Sequence, residues 1–283
     1  MSTARVASQD TPDEGRYDFS TPSIARVYNA ATGGKDNLLP DRNVLDKLQE
    51  TAPKLPEAAM ANLEFVTRAT EVVAAAGIHQ WLNLGCGLPP EGYETTHATV
   101  VRHHEGARVV YVDNDKHVTV HGRVFLDVPG ATGVIEEDAW NVDEVLGHQE
   151  AGLLDPSQPI GIIATALAHF KPAAEDPGGI LRRYMAHFTF GYLIFSHARS
   201  DLLSPEELKR MIADYKRTAD IYPRPRDVIQ KMFLNGLELL EPGLVEASTW
   251  RPHIAVSRDV GRAHFVAAVA RFGHAEAPAR GAA

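Results

Sequence analysis

The run Leu84-Gly85-Cys86-Gly87-Leu88-Pro89 follows the short apolar stretch QWLNL. Its two glycines can take positive φ and let the backbone approach a ligand closely at a strand's carboxyl end, as a cofactor loop requires. The same turn also occurs as plain structure. Pro90 stands where a dinucleotide fingerprint has its third glycine, which weighs against a nicotinamide cofactor. Further on, the apolar run Arg108 to Val112 ends in Asp113-Asn114-Asp115. A carboxylate there can accept hydrogen bonds from a ribose diol, or can cap the next helix, a job open to Asp115 as much as to Asp113.

Two more apolar runs end in polar residues. Glu137-Asp138-Ala139-Trp140 offers a carboxylate that can accept from an adenine amino group, and Ala164 to Phe170 places small residues and His169 at a fourth strand end. Ligands of open α/β sheets bind outside the carboxyl ends of the strands, so these four ends point to one site. His169 titrates near neutrality when unperturbed, so it can serve as a general base or stand as a hydrogen-bonded wall residue. Tyr28 has the same two readings, base or half-buried packing aromatic. Lys35 and Asn37 can bind a cofactor carboxylate or close a turn, and His97 and His197 are equally open. His117 and His121 lie four apart, but no third ligand is near, so a solvated helix face is favoured and no metal is expected. Cys86 reads as a small residue in a crowded turn.

These side chains need a scaffold, and from Gln80 the pattern supplies one: QWLNL, ARVVYV, TGVIEE, PIGIIATA and YLIFSHA alternate with helical stretches. That is the signature of βαβ units in a parallel, doubly wound sheet. LELLEPGLVEASTW and HFVAAVARF predict two further strands as an antiparallel pair at the sheet edge, for seven in all. Ser204-Pro205-Glu206-Glu207 predicts a capped helix start. Before the sheet, Ser20-Thr21-Pro22 predicts a helix start with Pro22 in the first turn, Gly33-Gly34 its stop, and further helices follow from Asp41 and over Pro56 to Ala76. The expected organisation is a tail over 1–16, a helical lid over 17–76, a sheet domain over 77–273 and a second tail over 274–283.

Composition narrows the classes. At 44% hydrophobic and 23% charged, the chain can bury a sizeable core. A formal net charge of -9 without any Lys/Arg block argues against a long nucleic-acid contact. No run approaches the ~18 apolar residues of a membrane span, and the N-terminus has no signal-peptide stretch. With a single cysteine, the expected home is the cytoplasm, and a homodimer is compatible with the sequence.

Several segments together resemble a known family: PSIARVYNAATGGKDN (22–37), AGIHQWLNLGCGLPP (76–90), ARVVYVDND (107–115), LAHF (167–170), FSHA (195–198) and GLELLEPGLVEASTWRP (236–252). The chain resembles the actinobacterial S-adenosylmethionine methyltransferases once catalogued as a domain of unknown function. The resemblance implies a class I, Rossmann-like fold, with S-adenosyl-L-methionine (product S-adenosyl-L-homocysteine) bound at Gly85, Gly87, Asp113 and Asp138. It places Asn114, Ala139 and Ala164 beside them at the strand ends, and Gly34 and Lys35 reaching down from the lid. Asn83 replaces the family's usual Asp, Cys86 its usual Thr, and Ala30-Ala31-Thr32 a Leu-rich stretch, which implies a changed grip on the cofactor ammonium and a remodelled acceptor pocket.

The expected activity is methyl transfer to a small-molecule acceptor, an aromatic specialised metabolite being the favoured class, with Tyr28 and His169 as candidate catalytic residues. Methyl transfer needs alignment and exclusion of water more than covalent help. Two alternatives stand beside it, a non-catalytic S-adenosylmethionine-binding protein and a nicotinamide-dependent oxidoreductase.

Overall fold

The computed structural model describes residues 20–88, 90–216, 218–252, 259–261 and 265–273. Both predicted tails, and Pro89 of the glycine turn, lie outside the described residues. Five parallel strands form the body of the sheet: β1 (Gln80–Leu84), β2 (Arg108–Asp113), β3 (Thr132–Glu136), β4 (Ile160–Ala164) and β5 (Phe190–Ala198). They lie in the order β3-β2-β1-β4-β5, so the order reverses between β1 and β4. That reversal is where open α/β sheets leave a crevice.

The edge departs from the seven-strand expectation. β6 (Glu238–Leu239) and β7 (Val245–Glu246) both pair antiparallel with β8 (Phe265–Gly273), and β8 pairs antiparallel with β5, giving eight strands. The predicted LELLEPGLVEASTW strand is interrupted because Gly243, at φ +82°, turns the chain between two short pairings. Inside β8, where every residue from Phe265 to Ala270 is buried, the sequence VAAVA supplies side chains small enough to sit between two packed layers.

Strand residues alternate between the two layers. Leu82, Leu84, Val110, Val112, Ile160, Ile162 and Ala164 face one apolar cluster with Tyr184 and Met185 of a helix over Pro177–His187. Trp81, Val109, Tyr111 and Ile163 face the other, with Phe65, Ala69 and Val73. These last three belong to the third of the N-terminal helices, α1 (Ile24–Ala31), α2 (Leu39–Thr51) and α3 (Leu55–Ala75). α3 is thus a structural layer of the sheet and not part of a lid. Arg68 clamps it, donating to the carbonyls of Trp250 (3.0 Å) and Ala247 (2.8 Å).

α1 and α2 are held together by a buried pair: Arg26 Nε reaches Asp41 Oδ2 at 2.9 Å, and Asp41 also accepts from the Leu38 and Ser23 amides. The start of α1 differs from expectation. Ser23 caps it, its hydroxyl accepting from the Arg26 amide, and Pro22 lies before the helix, not in its first turn. The predicted capping box Ser204/Glu207 is present in α8, the helix over Pro205–Tyr215.

Candidate active site

A cavity of about 670 Å³ opens at the carboxyl edge of the parallel strands, on the α3 side of the sheet. Its volume falls within the usual range for small-molecule sites. Gly85 and Gly87 form its floor at φ +66° and +61°, conformations costly for any residue with a Cβ. A Cβ on Gly87 would meet nothing within 4 Å, so it would project into open space at a cavity-lining position.

Asp113, at the end of β2, accepts from the Gly87 amide at 2.9 Å and from the Asp115 amide at 3.0 Å, one to each carboxylate oxygen. Each oxygen keeps a further acceptor position, which is what a ribose diol requires. Burial pushes this carboxyl up to about 6, against the pull of the amide hydrogen bonds. Capping falls to Asp115, whose side chain accepts from the His117 amide at the start of the helix α5 (Lys116–Phe125). The two jobs left open by sequence are therefore divided between the two residues.

Asn114, Asp138 and Ala139 also line the cavity. Asp138 accepts from the Trp140 amide (3.1 Å), and Lys171 stands 3.5 Å away. Asn83 lines it too, its amide donating to Thr96 Oγ1 at 3.2 Å. These residues fit a cofactor carrying an adenine, a ribose and an amino-acid tail: a buried carboxylate for the diol, a second at the next strand end, and glycine backbone between them.

Three expected cofactor residues are not in the wall. Ala164 is fully buried on the opposite face of β4, because side chains alternate along a strand, and its neighbours Ile163 and Thr165 line the cavity in its place. Lys35 is exposed and pairs with Glu91 at 2.6 Å. Gly34 is packed against Asn29, so closely that a Cβ there would lie 2.2 Å from Asn29 Nδ2. Asn37 donates to the Gly34 carbonyl (2.8 Å) and to Asn29 Oδ1 (3.0 Å), while Asn29 Nδ2 donates to the Leu88 carbonyl (3.2 Å). The GGKDN turn thus fastens α1 to the glycine loop and does not itself face the cavity.

The candidate catalytic residues both line the cavity, and neither has the environment of a free base. Tyr28 donates to the Ala59 carbonyl (3.0 Å) and accepts from Asn62 Nδ2 (2.9 Å). Burial raises its hydroxyl far above the ordinary tyrosine value, which favours the hydrogen-bonded wall residue over the base. His169 is 3% exposed, and burial, then the neighbouring His197 and Arg224, push it well below its ordinary value. Burial likewise drives the Cys86 thiol up, with the Asp113 carboxylate adding to it, which keeps the sulfur protonated.

Sequence reasoning missed the far wall. Asn62, Thr70 and Thr218 line the cavity, and each has a buried side-chain oxygen without a hydrogen-bond partner. Tyr215, Phe170 and Phe265 add aromatic surface. The helical spacing of Asn62 within α3 carried no signal of this, since an Asn among Ala and Leu reads as a solvent-facing position.

Residues 10–273 match the family model described as S-adenosyl methyltransferase. A candidate methyltransferase from Thermobifida fusca is similar at 31% identity, covering 91% of this chain and 97% of that one, with a TM-score of 0.83. A DUF574 family protein from Streptomyces avermitilis is similar at 30% identity, covering 90% and 99%, with a TM-score of 0.82. A search of curated proteins returned no match. No helix among the described residues is long and apolar enough to cross a membrane. The glycine floor, the Asp113 carboxylate and the order of the sheet agree with this match over nearly the whole chain, which belongs to the S-adenosyl methyltransferase family and is an S-adenosylmethionine-dependent methyltransferase.

Proposed function

We propose that this enzyme methylates a small aromatic metabolite, held between the glycine floor and the wall of Tyr28, Phe170, Tyr215 and Phe265. The observation that carries this reading is the make-up of one cavity: cofactor-type residues at the strand ends, and aromatic rings with unpartnered polar atoms opposite. When bound, S-adenosylmethionine supplies an electrophilic methyl group. Asp113 would hold the ribose, Asp138 would accept from the adenine amino group, and Asn83 would serve the amino-acid tail. α1 closes the roof, and Ala31 on its inner face leaves room beside Tyr28. With cofactor and acceptor bound, such a cleft would exclude water and hold the acceptor in line, the two things this chemistry needs most.

A small acceptor suits a cavity of about 670 Å³ better than a polymer, and the net charge of -9 disfavours a nucleic acid. A place in actinobacterial specialised metabolism and in the cytoplasm follows from the sequence resemblance and the lone cysteine. The test is incubation with isotope-labelled S-adenosylmethionine and extracts of the producing organism, followed by mass spectrometry. A labelled small aromatic product supports the reading; label appearing in protein or RNA alone refutes it.

A further inference from the structure

Behind the cavity lies Arg224, a buried residue that no carboxylate approaches within ion-pair distance among the described residues. Its guanidinium donates to the carbonyls of Ala168 (3.2 Å), Tyr222 (3.1 Å) and Lys171 (2.5 Å), and to His197 Nε2 at 2.8 Å. A guanidinium only donates. His197 Nε2 must therefore be the lone-pair nitrogen, which puts the ring proton on Nδ1, 2.7 Å from the Ala198 carbonyl. Burial, with Arg224 adding to it, holds His197 down at about 3, so the ring stays neutral.

The amide of the same residue, Ala198, donates to Nδ1 of His169 at 3.4 Å, a long bond. His169 is thereby left with its proton on Nε2, and that nitrogen has no partner among the described residues. The ring lines the cavity between Phe170 (centroids 4.4 Å apart) and Phe265 (5.8 Å). The Ala198 carbonyl and amide belong to different peptide groups, so the two histidines are fixed separately, His197 by Arg224 and His169 by the Ala198 amide, with the buried positive charge of Arg224 close behind both. An N–H backed by a buried cation is suited to an anion, since the low dielectric strengthens the attraction and the ligand supplies the missing counter-charge.

We propose that the His169 end of the cavity is an oxyanion subsite, where Nε2–H of His169, its tautomer set by the Ala198 amide, donates to an anionic oxygen on the aromatic methyl acceptor. Arg224 does not donate to the ligand; it acts through the field of its buried charge. This deepens the proposed function and rests on this cavity being the acceptor site. It also assigns His169 a role opposite to that of a base: it holds an oxygen that arrives already deprotonated.

The test uses the full-length protein, with and without S-adenosylhomocysteine, titrated with benzoate against neutral benzamide, and with 4-nitrophenolate above its pKa against neutral 4-nitroaniline. At least one anion should bind about tenfold or more tightly than its neutral isostere, and His169→Phe should erase that preference while leaving the neutral probes unchanged. Whichever pair shows it names the oxygen as carboxylate or phenolate. In the unmodified protein, imidazole ¹⁵N resonances should place protons on Nε2 of His169 and Nδ1 of His197, a result independent of whether any variant folds. The proposal is overturned by a proton on His169 Nδ1, or by equal binding of anions and isosteres. Failure of S-adenosylhomocysteine to bind would count against the proposed function alone, because the anion preference is read without it as well.

Discussion

Ser23 and Asp115, the capping residues of α1 and α5, are hydrogen-bonded to each other, the serine hydroxyl donating to the carboxylate. Asp115 lies two residues from Asp113, so the roof helix and the Asp113 turn share one contact. α1 is tied to the glycine loop as well, through Asn29 and the Leu88 carbonyl. Roof and cofactor site should therefore respond together.

Ser23→Ala removes both the cap and this contact, and should destabilise α1 by about 1 kcal/mol. Hydrogen exchange over residues 22–37 should quicken in the variant, and should slow in the parent protein when S-adenosylhomocysteine is added. Unchanged exchange on both counts would mean that α1 is fixed packing and not a lid.

Asp113→Asn should weaken S-adenosylhomocysteine binding about 10- to 100-fold without unfolding the chain, as expected for lost hydrogen bonds to a charged acceptor. Calorimetry reads this directly, and wild-type affinity in the variant would move the cofactor elsewhere.

The same carboxyl predicts a pH dependence. Its folded value, about 6, lies above the ordinary one, so the ligand-free protein favours the protonated form, and that stabilising contribution is complete below the unfolded value and gone once pH rises through about 6. Ribose binding needs the ionised form. Affinity should thus be flat above about 6 and fall about tenfold per pH unit below it. Asp113→Asn should flatten the profile; an unchanged profile in the variant would assign the titration to another group.

Tyr28→Phe should leave kcat within about threefold of the parent, because the hydroxyl is bound to Ala59 and Asn62 and carries no removable proton at neutral pH. The cost should appear in stability, about 1–3 kcal/mol for the Asn62 amide left without its acceptor. A loss of about 100-fold in kcat, the scale of lost acid–base catalysis, would restore the tyrosine as a base.

Gly34→Ala should destabilise the chain by about 1–3 kcal/mol, since the new methyl meets Asn29 backed by both Asn37 and the glycine loop. Thermal melts with and without S-adenosylhomocysteine separate packing from binding. A neutral substitution would show that Asn29 moves freely, and that the turn does not fasten α1.

The sequence alone determined the parallel sheet and the place of its site, because both are local signals. Apolar runs between helical stretches define βαβ units, and glycines or carboxylates at the ends of those runs mark the carboxyl edge. The position of Gly85, Gly87, Asp113 and Asp138 along one cavity at that edge was legible for that reason. The split of the edge strand into β6 and β7 and the role of α3 as a sheet layer were not, since each depends on what packs against the segment. Side-chain direction was decided the same way: Ala164 and Ile163 are adjacent in sequence and face opposite layers. Above all, the protonation chemistry belongs to the tertiary structure. A histidine and a tyrosine have the same intrinsic pKa in any sequence, and only burial among Arg224, His197, Ala59 and Asn62 turns one into a fixed donor and the other into a wall.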